Sequence, residues 1–342
     1  MKDTIRKKVG GTSVSTNKQL TSAELGKLWV TYSGNTLGKC VLQYFLKHVN
    51  DEKIKEVVQD AHDLSVELLE KLEQLFHAEN IPIPKGMTEE DVNEDAPRLF
   101  LDDFYLHYLR YTSKAGLSIY SIAIPLMTRE DVREFFINGC HATMKLITKI
   151  NKVMLDKGLL IKPPIIPYPE HIDFVKKQSF LYGFLGDVRS LHALEIAHLY
   201  DNIDNKVTSK ALLIGFSQCV QDEDVRHFML RGKTITERHL RLTMAKLHKN
   251  HLPSPTLLDD MVTSSTVAPF SDKLMLSHKI DMFSMKIRSY ANALSLGGRR
   301  DIGGLYAKFM MDVTLFIEDG GNKMIDRGWW SSLLKHLREN KY

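Results

Sequence analysis

The sequence predicts an all-α protein of two tandem four-helix bundles. Three observations carry this. Apolar residues recur at three-and-four spacing over long stretches, the period of one helix face. The chain repeats itself, Leu20–Trp29 returning as Leu191–Tyr200 at a shift of 171, and Asp156-Lys157-Gly158 as Asp326-Arg327-Gly328 at a shift of 170. Both copies place proline and glycine at the same helix stops. A repeat this long is a whole domain rather than a solenoid unit.

In the first copy the four helices fall near 21–48, 51–79, 98–126 and 129–157. Thr21-x-x-Glu24 has the spacing of a capping box, and Glu24 returns as Glu195. The plainer account of this pair is first-turn chemistry, since an acid is favoured at a helix N-terminus. The sharper account is a buried carboxylate that holds a ligand or a partner residue. The second helix carries Ile54, Val57, Val58, Ala61, Leu64, Leu68, Leu72, Leu75 and Phe76 in one stripe. Asn50-Asp51-Glu52 opens it, and Asn80-Ile81-Pro82 closes it, as His251-Leu252-Pro253 does in the copy. A long connection follows in both copies, and one residue is lost inside it. Thr128 is placed to cap the fourth helix, and Gly158 and Gly328 to end the last helix of each copy. Short first and third connections with one long second connection are the layout of a ferritin-like bundle.

The boundaries that follow are a tail at 1–19, a first bundle at 20–160, a linker at 161–188, a second bundle at 189–330 and a tail at 331–342. Lys162–Pro169 is proline-rich and expected to run extended as a stiff spacer. The apolar stretch Phe174–Gly186 is expected to pack in the seam between the bundles.

A hydrophobic content of 43% with 26% charged residues is ordinary for a globular protein, and a net charge of +4 favours neither acidic nor basic partners. Three scattered cysteines do not form a disulfide framework. The longest uncharged stretch, 115–128, is too short to span a bilayer and contains Pro125. With no apolar leader in residues 1–19, the expected location is cytoplasmic.

A di-metal centre in such a bundle needs a carboxylate from two helices and Glu-x-x-His from the other two. Only Glu195-Ile-Ala-His198 has that spacing, and its counterpart is Glu24-Leu-Gly-Lys27. His192, Glu195 and His198 share one helix face, so a single iron, manganese or zinc site there is the metal alternative; the plainer reading is that they are polar residues facing solvent, and no cofactor is expected. No phosphate loop, zinc knuckle or nucleophile triad is present, and the aromatic run around His107 reads as core.

Charge separates the copies. Residues 52–79 hold eight acids against three lysines, whereas 223–250 hold three acids against seven bases, and Glu67 becomes Arg238. Two solvated faces that drifted apart is one reading. The other is that Glu67 and Glu70 on one face and Arg238 and Arg241 on the other are complementary surfaces that meet within or between chains. Nucleic-acid binding is not expected, because the basic helix lacks interleaved aromatics and any reading motif.

Ala96–Phe100, Pro163–Pro167, Asp173–Phe180, Lys210–Gln218 and Ala268–Leu274 together resemble the family known as domain of unknown function 3231, found in endospore-forming bacteria. The resemblance implies tandem ferritin-like bundles and a spore-coat-like association, and it carries no catalytic residues. The expected function is non-catalytic: a structural or interaction protein working through protein partners or self-association, with sporulation or the spore coat as the setting the resemblance implies. The alternatives are a degenerate metal protein and a small-ligand carrier with a pocket inside a bundle or at the seam.

Overall fold

The computed structural model describes residues 19–172, 174–184 and 188–331; both predicted tails lie almost wholly outside the described residues. Among the described residues it is all-helical, apart from two isolated bridges. The first copy contains α1 (Ser22–His48), α2 (Glu52–Ala78), α3 (Asp102–Ala123) and α4 (Glu130–Asp156). The second contains α5 (Ala193–Cys219), α6 (Glu223–His248), α7 (Asp272–Leu296) and α8 (Arg300–Asp326). Loops of three residues join α1 to α2 and α5 to α6, which makes each pair an antiparallel hairpin. No described helix is long and apolar enough to cross a membrane.

The helix stops have the geometry their residues require. Asn80 and His251, equivalent across the repeat, both take positive φ, 55° and 56°. Each lets the next amide turn back onto the last helical turn, Ile81 N to Phe76 O and Leu252 N to Leu247 O. Gly158 and Gly328 take positive φ at the ends of α4 and α8.

Two expectations change. Helix α3 starts at Asp102, not near 98, because residues 99–101 are spent on the other copy. Thr128 does not cap α4 with its side chain; Arg129 is the N-cap residue, and the carboxylate of Glu24 does the capping from α1.

The long connections hold the copies together. Val92 bridges Phe270, and Phe100 bridges Val262. Asn93 N donates to Pro269 O and Thr263 N to Leu99 O, at 2.8 and 2.9 Å; Leu101 N donates to Met261 O and Ser271 N to Asp91 O, both at 2.9 Å. Each pair is one contact seen twice, at a shift of 170 in both partners. Such reciprocity marks an isologous, two-fold interface, here inside one chain. A buried aromatic cluster, with Tyr44, Phe100, Phe216 and Phe270, fills the seam. Arg110 and Lys114 of α3 meet Asp201 and Asp204 of α5 at its rim.

The linker is less buried than its composition suggests. Phe174, Val175 and Phe184 are exposed, and Phe180 packs under the Arg189 guanidinium, 4.0 Å from its centroid, against the second bundle.

Candidate functional site

Glu24 and Glu195 are both fully buried, and both are double caps. Glu24 accepts from Thr21 N at 2.8 Å within α1, and from Thr128 N and Arg129 N, each 2.8 Å, at the start of α4. Burial raises its pKa, but the backbone donors of Arg129, Thr21 and Thr128 outweigh this and bring it down to about 2. Glu195 accepts from His192 N and Arg299 N and forms a two-pronged pair with Arg189, both prongs 2.8 Å. Burial again raises the pKa, and the Arg189 guanidinium with the His192 and Arg299 amides lowers it further. The capping-box and buried-carboxylate readings therefore describe one arrangement. It ties the first and fourth helices of each bundle.

This arrangement occupies the carboxylate that a metal site would need. His192 uses Nδ1 to accept from the Glu195 amide at 3.3 Å, and its Nε2 lies 3.5 Å from Glu195 Oε1. His198 lies one turn on, its buried Nε2 without a hydrogen-bond partner among the described residues. Among the described residues no three His, Cys, Asp or Glu are grouped to hold a metal ion.

The unlike faces of α2 and α6 are exposed but partly neutralised. Glu67 pairs with Lys71 on its own helix, and Arg238 with Asp312 of α8 at 2.6 Å. Arg231 and Lys246 also pair with α8, through Asp319 and Asp301. Glu70 and Arg241 are exposed and in no ion pair among the described residues.

The feature that sequence reasoning did not locate is a cavity of about 400 Å³ inside the first bundle. Helices α1 to α4 supply most of its wall, and α7 of the second copy supplies the rest through His278, Asp281, Met282, Ser284, Met285 and Arg288. The wall is mainly apolar, with small residues at Gly34, Gly38, Ser65, Ser113 and Gly116. Two buried atoms in it, Thr31 Oγ1 and His278 Nδ1, have no hydrogen-bond partner among the described residues. His278 Nε2 lies 2.7 Å from the Tyr108 hydroxyl, and the imidazole is held neutral, its pKa brought down to about 3 by burial and by nearby Lys279.

The equivalent positions of the second bundle carry larger, buried side chains. Asn35, Leu109, Ser113 and Gly116 of the cavity wall correspond to Lys206, Lys279, Phe283 and Lys286. All three lysines are buried. Lys286 Nζ sits 3.5 Å from the centroid of the Phe283 ring and donates to Thr236 Oγ1 at 3.2 Å. Lys279 Nζ donates to Ser209 Oγ at 3.0 Å, and Lys206 Nζ stands over Tyr290 and Phe309 at 4.8 and 5.2 Å. Burial lowers all three ammonium pKa values, that of Lys206 to about 7. The signal was present in the repeat: aligned core positions differ sharply in side-chain volume.

A family profile described as "Protein of unknown function (DUF3231)" matches residues 10–172 and 179–332. No curated protein matches the chain. A solved structure from Bacillus halodurans C-125, named as a "putative spore coat protein", is 24% identical with a TM-score of 0.41, and covers 44% of this chain and 98% of its own.

Proposed function

The chain belongs to the DUF3231 family of proteins of unknown function, and from that premise we propose that it is a non-catalytic binding protein whose first bundle holds a small ligand. The single observation that carries this is the cavity between α1, α2, α3, α4 and α7. Its volume and mostly apolar wall suit a small molecule, and pockets between the helices of a bundle are a common form of such sites. The second copy supports the reading by contrast, because larger buried side chains stand at the equivalent positions.

Xenon tests it, since an apolar cavity takes up such a gas. Crystals pressurised with xenon are expected to show the atom in the first bundle and not in the second. An unoccupied first bundle would end the reading.

A second reading is association through the unlike faces, and the free charges of Glu70 and Arg241 favour it. Sedimentation at two salt concentrations tests it: self-association that ignores salt and survives Arg238→Glu with Arg241→Glu removes it. The place of action we propose is the developing spore. A tagged full chain that concentrates at neither forespore nor coat in sporulating cells counts against that.

A further inference from the structure

We propose that the cavity takes a primary amine carried on an alkyl or arylalkyl body. The inference rests on the ligand-binding reading and adds the ligand's chemistry.

The second copy shows which groups this interior accommodates. At the positions of four cavity-wall residues it places three alkylamine chains and a benzene ring. Two parts of the surroundings that serve those amines persist in the first copy. Tyr120 stands where Tyr290 faces Lys206, and Ser65 offers a hydroxyl where Thr236 accepts from Lys286. What the first copy lacks is the amine and the ring, and it has a void there instead.

The first cavity also holds a counter-charge. Asp281 lines it, solvent reaches the carboxylate, and no hydrogen bond or ion pair engages it among the described residues. Protein surrounds the group closely enough that burial pushes its pKa up to about 6, against the pull of Arg288. Arg288, two turns further along α7, also lines the cavity and forms no ion pair among the described residues. A ligand ammonium beside Asp281 gains a charge-assisted hydrogen bond to a carboxylate that no group among the described residues engages. Thr31 Oγ1, buried in the same wall, can accept one of its protons. A carboxylate ligand would meet Asp281 as a like charge, with Arg288 the one cation of the wall in its favour, and the octanoate probe below decides between the two.

Calorimetric titration of the full chain at pH 7.5 tests this with four probes: n-octylamine, 2-phenylethylamine, 1-octanol and octanoate. The amines are expected to bind at least about tenfold more tightly than octanol, and octanoate most weakly. Asp281→Asn is expected to weaken the amines about tenfold and leave octanol unchanged, while Arg288→Ala tightens the amines. Gly116→Met should abolish all binding by filling the void, with an unchanged circular dichroism melt as the folding control. Should Gly116→Met fail to fold, the Asp281 and Arg288 variants carry the test. Octanol or octanoate binding as tightly as octylamine, or Asp281→Asn without effect, overturns the amine assignment. Xenon in the cavity with no amine bound overturns this inference alone; neither xenon nor amine overturns the ligand-binding reading as well.

Discussion

Replacing Lys206 with methionine should stabilise the protein at neutral pH. Lys206 is fully buried in the second bundle, and burial lowers its pKa from 10.5 to about 7. Because the folded pKa lies below the unfolded one, the unfolded chain binds more protons between these values, and stability rises with pH across that window. Each pH step there is worth about 1.4 kcal/mol, so at pH 7 the lysine costs about 4 kcal/mol relative to a residue that does not titrate. Its ammonium also sits over Tyr290 and Phe309, an attraction worth about 1–2 kcal/mol that methionine forfeits. Methionine has similar length and no charge, and Thr243 keeps its hydrogen bond to His239 O. The net expectation for Lys206→Met at pH 7 is a gain of about 2 kcal/mol. The gain should shrink with rising pH, because wild type gains about 3 kcal/mol from this group between pH 7 and 9.5. Urea unfolding at half-unit steps in that range, with the slope m constant, measures both quantities. Lys206→Met less stable than wild type at pH 7, or a wild-type midpoint flat from pH 7 to 9.5, would refute the reasoning.

Acid should act in the same direction. His239 and His278 have folded pKa values near 3, so their cost is absent above pH 6.5 and grows as pH falls towards 3. Glu24, lowered to about 2, contributes stability above pH 4.5 that is lost below it. A melting temperature that does not fall steadily from pH 6.5 to 3 contradicts both. Glu24→Ala uncaps two helices at once and should cost about 2–4 kcal/mol in urea unfolding, with Glu24→Gln between it and wild type. Charge reversal at the solvated Glu70 should change stability by less than about 0.5 kcal/mol.

What was legible in the sequence is what local chemistry decides. Asp51 and the prolines after Asn80 bound α2 to within a residue of the expected limits, because caps and breakers act over a few residues. The start of α3 was not legible, since residues 99–101 are drawn out of the helix by hydrogen bonds to residues 261 and 263 of the other copy. Glu24 stood out as a first-turn acid, but its second duty at Thr128 and Arg129 depends on where α4 arrives. The cavity was hardest to see. A run of small residues such as Gly34, Gly38 and Gly116 closes up in one packing and leaves a void in another. Only comparison of the two copies, Gly116 against Lys286, marks the place.

The seam gives the last prediction. Gly215 corresponds to Tyr44, and the two-fold relation sets each against the same aromatic of the opposite copy. Tyr44 meets Phe270 edge to face at 5.2 Å and holds the crossover through Pro97 O and Leu99 N. At the mirrored place glycine lets Phe100 come so close that an added Cβ would lie 2.7 Å from its ring. Gly215→Ala gains about 1 kcal/mol of helix propensity. Against that, Phe100 must move within a close-packed seam, and overpacking of this kind costs about 1–3 kcal/mol. Phe100 is also the residue that bridges Val262, so it cannot withdraw without loosening the reciprocal contacts. The overpacking term should win, leaving the variant about 1–2 kcal/mol less stable in urea. Because α7 reaches the first-bundle cavity only across this seam, ligand affinity should fall as well. A variant about 1 kcal/mol more stable than wild type would mean that the seam yields freely. The second bundle would then be a loose neighbour rather than a fixed wall of the cavity.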